Sequence, residues 1–266
     1  MKIIDANIHL PEIPSDLNEF DYNSFDVLGS IDNLENKLNK NQVMGGCVSI
    51  LDIDFLRRNE STLVKRLSLL NLKAVIMIDP NDPNWKKNVD TAKNLGFIGI
   101  KFHAYRQRID SDLDKKIKEI CKHASNLGML ITICCSYGTK DLYKFNGVRI
   151  ISEILNEVNT PILALHGGGK LVLDLMLIAE QSRNVYIETS FSLPYYLGSS
   201  IEIDIAFAIK KLGSKQWMYG SDHPYIDMKK SIEATKNFLI KYQFNDIDIK
   251  NIMYSNGIDF FKINEK

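Results

Sequence analysis

Short apolar runs rich in β-branched residues alternate with longer amphipathic segments along the whole chain. The apolar runs lie at 3–8, 45–51, 73–78, 97–102, 129–135, 161–165, 184–188 and 216–220. Between them, apolar positions recur at helical spacing, most clearly in 31–40, 113–128, 171–182 and 227–243. Runs of this length and composition predict buried strands, and the longer segments predict the helices that connect them.

Eight strands, each followed by a helix, predict an α/β protein with a parallel (β/α)8 TIM barrel. A doubly wound open sheet is the structural alternative, but no G-x-G-x-x-G motif follows the first strand. No repeat or linker divides the chain, so a single domain is expected over residues 1–266. The segment 11–30 is the longest irregular stretch, and we expect it to cover part of the barrel mouth.

Composition narrows the classes of partner. The 33 basic residues equal the 33 acidic ones, so no charge excess favours nucleic acid or an anionic membrane. No apolar stretch approaches the roughly 20 residues that span a bilayer, and no charged leader precedes the first strand. The four cysteines show no Cys-x-x-Cys spacing, which predicts reduced thiols in a cytoplasmic protein. A small molecule is the partner we expect.

Polar and titratable residues follow most of the predicted strands. They are His9, Asp52, Asp79, His103, His166, Glu188 and Asp222. In TIM barrels the carboxyl ends of the strands form the active-site face. An isolated strand-end Asp is more often a helix cap or turn residue, which weakens the case for Asp52, Asp54 and Asp79. His123 lies inside a predicted helix, where a surface role is the simpler interpretation.

Side-chain alternation along the strands indicates which polar groups share a face. On the first strand, Asp5, Asn7 and His9 alternate with apolar residues, and on the fourth Gly99, Lys101 and His103 do so. The same alternation aligns Ile162, Ala164 and His166 on the sixth strand and Met218, Gly220 and Asp222 on the eighth. We therefore expect His9, Lys101, His103, His166 and Asp222 to converge on one mouth of the barrel.

Several of these segments, in this order, resemble motifs of the amidohydrolase superfamily, specifically its amidohydrolase-2 branch. "IIDANIHL" resembles the opening I-D-x-H-x-H, "GFIGIKFHAY" the strand G-x-x-G-I-K-L-H-P, and "PILALHGGG" the sixth-strand histidine followed by glycine. "NVYIETS", "WMYGSDHPY" and "NIMYSNGIDFF" resemble N-V-Y-x-D-x-S, G-S-D-x-P and the terminal N-A-x-x-x-F segment. The branch contains metal-dependent hydrolases, lactonases and decarboxylases related to aminocarboxymuconate semialdehyde decarboxylase.

The resemblance implies a divalent metal, commonly zinc, held by two first-strand histidines, a fifth-strand histidine and the eighth-strand aspartate. His9 matches the second histidine and Asp222 the aspartate, whereas Asn7 and Cys134 occupy the other two positions. Zinc accepts thiolate, imidazole and carboxylate, so Cys134, His9, Asp222 and a water are one candidate ligand set, with His103 as a replacement imidazole. Two small buried hydrophobes are the other interpretation of Cys134 and its neighbour. Both a zinc site and a site without metal stay open.

The function we expect is hydrolysis of a small carboxylate-bearing ester, lactone or amide. Asp222 would act as general base, either on metal-bound or on free water, and His166, the sixth-strand histidine, would polarise the substrate or move protons. Lys101, His103 and Asn7 are the candidate substrate-binding residues: Lys101 for an anionic group unless it is carbamylated, Asn7 for a water or carbonyl. A decarboxylase of the same branch and a catalytically degenerate binding protein are the alternatives. Relatives commonly form dimers, so the resemblance allows a homodimer.

Overall fold

A computed structural model describes residues 1–10, 27–51, 61–136 and 140–264. Asp52 and Asp54 lie outside the described residues, and so does 11–26, which makes up most of the segment expected to cover the mouth. In the part of the chain that is described, no helix is long and apolar enough to cross a bilayer.

Eight strands form one sheet in which each strand pairs in parallel with the next along the chain. They are β1 (Ile3–Leu10), β2 (Val43–Ile50), β3 (Leu72–Met77), β4 (Gly99–His103), β5 (Leu130–Cys134), β6 (Ile162–Leu165), β7 (Val185–Glu188) and β8 (Trp217–Met218). Backbone hydrogen bonds then join the residues after β8 to β1, with Asp222 N donating to Asn7 O at 2.9 Å and His9 N to His223 O at 2.7 Å. The sheet therefore curves round on itself, and the predicted TIM barrel is confirmed.

Helices follow the strands as the pattern predicts. They are α1 (Val27–Lys40), α2 (Ser61–Leu69), α3 (Trp85–Leu95), α4 (Asp114–Asn126), α5 (Gly147–Ile154), α6 (Val172–Gln181), α7 (Ser192–Tyr196), α8 (Ser200–Leu212), α9 (Met228–Lys241), α10 (Asp246–Lys250) and α11 (Asn256–Phe261). A π-helical turn, Asn251–Ser255, precedes α11. The outward side chains of the strands pack against these helices in one large apolar core.

A second, smaller apolar cluster joins residues of strands that lie across the barrel from one another. Val75 of β3, Leu163 and Leu165 of β6, and Met218 of β8 belong to it. Because these strands are not neighbours, this cluster fills the barrel interior, as is usual for a TIM barrel. Polar residues at the carboxyl ends of the strands lie above it.

The predicted alternation is wrong in the first half of β1 and on β6. On β1, Ile4 and Ala6 belong to the interior cluster, and a register shift between Asp5 and Ile8 then brings Asn7 and His9 to the interior face. On β6, Leu163 and Leu165 face the interior, whereas Ile162 and Ala164 belong to the core between the sheet and the helices. His166 nevertheless reaches the mouth, because it leaves the strand with a left-handed φ of 65°. A left-handed residue interrupts the two-residue alternation of a strand, so the face of His166 does not follow from its position in the sequence.

Candidate active site

The closing seam between β1 and the end of β8 brings three predicted site residues into contact. His9 Nε2 lies 3.0 Å from Asp222 Oδ1, and Asn7 Nδ2 donates to the same oxygen at 3.0 Å. Asp222 has a left-handed φ of 60°, and the next peptide, His223-Pro224, is cis. The Asp5 side chain also stabilises this seam, since its Oδ1 accepts the backbone N–H of Ser221 at 2.8 Å and of Asn7 at 3.2 Å.

A directional chain of hydrogen bonds leads from β4 to Asp222. Lys101 Nζ donates to Ser49 Oγ at 3.0 Å, and Ser49 Oγ donates to Asn7 Oδ1 at 3.4 Å. Asn7 Nδ2 then donates to Asp222 and, at 3.1 Å, to Ser190 Oγ. Lys101 and Asn7 are both fully buried, so the chain lies inside the barrel. The Asn7 side chain therefore directs its N–H group, and not its oxygen, at the Asp222 carboxylate.

The ends of β6 and β7 hold His166. Its Nδ1 lies 3.0 Å from Ser190 Oγ, and its backbone N–H donates to Glu188 Oε2 at 3.2 Å. Glu188 also accepts the backbone N–H of Ser190. A Cβ at Gly220 would lie 2.5 Å from Glu188 Oε1, so the glycine of the G-S-D motif makes the room that this carboxylate needs. His166 is thus oriented by β7, with Nε2 left for a second partner.

The ends of β4 and β5 place Cys134 beside His103. These two residues are paired in register across the sheet, and Cys134 Sγ lies 3.5 Å from His103 Nε2. Ser136 Oγ lies 3.0 Å from the same sulfur. The thiol therefore contacts an imidazole from the end of β4 and a hydroxyl that follows β5.

Burial and mutual charges shift the protonation of this cluster. Burial by itself raises the pKa of Asp222, but the charge of His166 and the hydrogen bond from His9 outweigh it and hold that pKa below its usual range. Burial lowers the pKa of His166, yet the charges of Asp222 and Cys134 raise it to about 9. Burial and then the charge of Lys101 lower the pKa of His9 to about 4. Near neutral pH the site holds an ionised Asp222, a cationic His166 and a neutral His9.

Two residues of this network escaped the sequence reasoning. Ser49 connects Lys101 to Asn7, and Ser190 connects Asn7 to His166. Glu188 was noted at a strand end but given no role, although it holds the backbone of both His166 and Ser190. Alternation could have found Ser49, because Cys47, two residues earlier on β2, belongs to the interior cluster.

The weaker candidates lie in ordinary structural roles. Asp79 Oδ1 accepts the backbone N–H of Asn81 at 2.9 Å, which is the turn chemistry expected for a strand-end Asp. His123 lies on α4, with its Nε2 2.7 Å from Asp90 Oδ1 and its ring 5.8 Å from that of Trp85. It therefore belongs to the helical layer outside the barrel.

The resemblance implies a zinc site built from the side chains at this mouth. Among the described residues, no group of three or more His, Cys, Asp and Glu side chains is arranged to hold a metal ion. Asn7 directs an N–H at Asp222 Oδ1, the oxygen that also contacts His9. A donor in that place competes with a cation for the same carboxylate. In this arrangement the residues do not fit a zinc ion.

Comparison with known proteins places the fold among amidohydrolases and decarboxylases. Neither a protein-family model nor a curated protein sequence matches this chain. Among solved structures, a probable 2-pyrone-4,6-dicarboxylic acid hydrolase from Acinetobacter baumannii with bound citric acid has TM-score 0.67 and 14% identity, covering 99% of this chain and 100% of that one. A zinc-bound amidohydrolase from Burkholderia multivorans has TM-score 0.68 and 11% identity, with coverage of 99% and 100%.

A third solved structure, 2,6-dihydroxybenzoate decarboxylase complexed with 2,6-dihydroxybenzoate, has TM-score 0.68 and 13% identity, covering 99% of this chain and 100% of that one. The fold expected from the amidohydrolase-2 resemblance is therefore confirmed over nearly the whole chain. At these identities the comparison establishes the fold alone.

Proposed function

We propose that this chain is a hydrolase of the amidohydrolase-2 type that acts on a small carboxylate-bearing ester, lactone or amide. The observation that carries the proposal is the convergence of Asp222, His9 and His166, from three different strand ends, on one buried network. Buried titratable groups with shifted pKa values at the carboxyl end of a TIM barrel are typical of an active site.

Asp222 is the general base in this mechanism. Both of its contacts to His9 and Asn7 use Oδ1, so we assign Oδ2 to the water that attacks the substrate. The low pKa keeps the carboxylate ionised, but it also makes the group a weak base. Proton transfer therefore depends on stabilising the oxyanion that forms at the same time.

Positive charge for that oxyanion comes from the protein. His166 is cationic near neutral pH. Its Nδ1 hydrogen-bonds to Ser190 Oγ, which fixes the orientation of the imidazole ring. An imidazolium in a buried site stabilises a developing oxyanion and can return a proton to the leaving group. Lys101 acts through Ser49 and Asn7, and its full burial favours this role over direct contact with substrate.

Two of the similar solved structures support a carboxylate substrate. One is a dicarboxylic acid hydrolase with bound citric acid, and another is a decarboxylase with a bound dihydroxybenzoate. Decarboxylation is the second candidate reaction, because that second structure is a decarboxylase. The four free, buried cysteines support a cytoplasmic location. The resemblance also leads us to propose a homodimer. Light scattering tests this oligomeric state.

The test is a screen of carboxylate-bearing esters, lactones and amides with Asp222→Asn as the diagnostic variant. The substitution is nearly isosteric and removes the base, so turnover should fall by roughly 10² to 10⁴. His123→Ala is the matched control, because that side chain lies on the helical layer, and its turnover should stay within about twofold of the unchanged protein.

Full turnover by Asp222→Asn would refute the mechanism. Binding of a carboxylate without turnover, weakened by the same variant, would instead identify a binding protein.

A further inference from the structure

Two neighbouring helices on the outside of the barrel expose large apolar side chains, and we call this surface the α6–α8 face. Leu173 and Leu177 of α6 are 38% and 55% exposed, and Ile203 and Phe207 of α8 are 59% and 53% exposed. Among the described residues, no other helix exposes more than one large apolar side chain. A surface helix normally turns its polar side to solvent, so this face departs from the usual pattern.

The α6–α8 face is continuous, because its two helices pack side by side. Near their carboxyl ends, Lys211 Nζ lies 3.9 Å from Glu180 Oε1 across the groove between the helices. Leu177 and Phe207 lie one helical turn before these two charges, on the same sides of α6 and α8. The other two apolar residues of the face lie one turn further back. The four side chains therefore form a single patch.

The area of this face approaches what a stable dimer needs. At roughly 200 Å² for a fully exposed Leu, Ile or Phe, its four apolar residues expose roughly 400 Å² together. A standard-size interface buries roughly 800 Å² on each partner, of which a little over half is apolar. The face therefore supplies most of the apolar area of such an interface, and the charged side chains around it can supply the polar rim.

The charges at the two ends of the face favour a second copy of this chain as the occupant. Asp174 and Asp204 lie near the amino ends of α6 and α8, whereas Lys210 and Lys211 lie in the last turn of α8. If two identical faces meet about a two-fold axis with these helices antiparallel, the acidic end of one copy lies against the basic end of the other. A parallel arrangement would bring like charges together.

We propose that the α6–α8 face is the interface of a homodimer in which the two copies pack with these helices antiparallel. The homodimer proposed above followed from the resemblance alone, whereas this surface follows from the exposed side chains and charges of the chain itself. The inference goes beyond the proposed hydrolysis and does not depend on it, because the face belongs to the helical layer and not to the mouth of the barrel.

The first test is sedimentation velocity of the unchanged protein over a range of concentrations, where we expect the mass of two chains. Leu177→Glu combined with Phe207→Glu places two charges within the face and should raise the dissociation constant of the dimer at least about hundredfold. Both residues are more than half exposed, so the fold should remain intact, which circular dichroism checks.

Leu69→Glu is the matched control. Leu69 is 69% exposed at the end of α2, the helix that follows β2. Because β2 lies across the barrel from β6, this substitution adds the same charge on the opposite side of the molecule, and the dimer should persist. A monomer at every concentration of the unchanged protein would overturn the proposal. A dimer that survives the two substitutions in the face, or that Leu69→Glu dissociates, would overturn it too.

Charge reversal tests the orientation of the two copies. Lys210→Glu combined with Lys211→Glu sets acidic ends against acidic ends in the antiparallel dimer, so its dissociation constant should rise about tenfold. Adding Asp174→Lys and Asp204→Lys to that variant makes the ends opposite in charge again and should restore the affinity. An unchanged dissociation constant in the first variant, or no recovery in the second, would overturn the antiparallel arrangement.

Other results would identify another occupant or another error. A monomeric protein that cosediments with phosphatidylglycerol vesicles would make the face a lipid-binding surface and would overturn the dimer. A monomer that hydrolyses carboxylate esters would refute the dimer and leave the hydrolase proposal standing. A dimer that the substitutions in the face dissociate, without turnover of any ester, lactone or amide, would support the interface and refute the hydrolase.

Discussion

The protonation of His166 depends on the charged groups around it. An isolated imidazole titrates near 6.5, but the charges of Asp222 and Cys134 overcome the effect of burial and raise the pKa of His166 to about 9. The cation is then present at neutral pH, where the proposed chemistry needs it. The same shift affects folding, because a base that is strengthened in the folded state holds its proton there.

We expect an NMR titration of the His166 imidazole to show a midpoint near pH 9 in the unchanged protein. In Asp222→Asn the largest raising charge is lost, so the midpoint should move down towards 6.5. The contribution of His166 to stability should be complete below pH 6.5 and lost as the pH rises through about 9. A midpoint that does not move in Asp222→Asn would show that the two groups are not coupled.

At the scale of the strands, the end of β7 packs directly against the residues that follow β8. Gly220 leaves the space for the Glu188 carboxylate, and Glu188 holds the backbone N–H groups of His166 and Ser190. A substitution at Gly220 would therefore displace Glu188 and, through it, affect His166. This coupling gives Gly220, which has no functional group, a structural role at the site.

Gly220→Ala should lower both stability and turnover. The added Cβ would lie 2.5 Å from Glu188 Oε1 in a packed interior, which costs about 1–3 kcal/mol in the free energy of unfolding. Displaced Glu188 would release His166, so kcat should fall more than the stability loss explains. Denaturant unfolding and steady-state kinetics measure the two effects.

Gly128→Ala is the matched control for this prediction. Its Cβ would meet nothing within 4 Å, so only the cost of a left-handed alanine, about 1 kcal/mol, is expected. Unchanged turnover in Gly220→Ala would show that Glu188 does not position His166.

The barrel as a whole brings side chains from distant strands to one mouth. His9 and Asp222 come from opposite ends of the chain, and Cys134 from its middle, yet all lie at the carboxyl ends of the strands. In the residues described, Asn7 and Cys134 stand where the resemblance expects histidines, and no metal-binding group results.

Asn7→His combined with Cys134→His should therefore raise the affinity for zinc. Two imidazoles would join His9 and Asp222, which completes a tetrahedral set of nitrogen and oxygen ligands. Isothermal titration with zinc and metal analysis of the purified variant measure the change. The unchanged protein and the single variant Asn7→His are the controls, and equal zinc binding in all three would show that the mouth cannot close around a metal.

The alternation of apolar and polar residues was enough to predict eight strands, their order and the face on which His9, Lys101, His103 and Asp222 meet. This works because burial requires a period of two in strands and of 3.6 in helices, and both periods are written in the chain. It was not enough for β1, where a register shift follows Asp5, or for β6, where Leu163 and Leu165 face the interior and His166 reaches the mouth only through its left-handed φ.

The alternation of apolar and polar residues does not predict the hydrogen bonds of the site, for a different reason. Ser49 lies on β2, the strand paired with β1, whereas Ser190 is separated from Asn7 by 183 residues and becomes its neighbour only when the barrel closes. The direction of the Asn7 amide, which turns its N–H towards Asp222, depends on those neighbours. Spacing along the strands indicates which residues reach the mouth, whereas their contacts and protonation follow from three-dimensional packing, because electrostatic interactions and hydrogen bonds act through space.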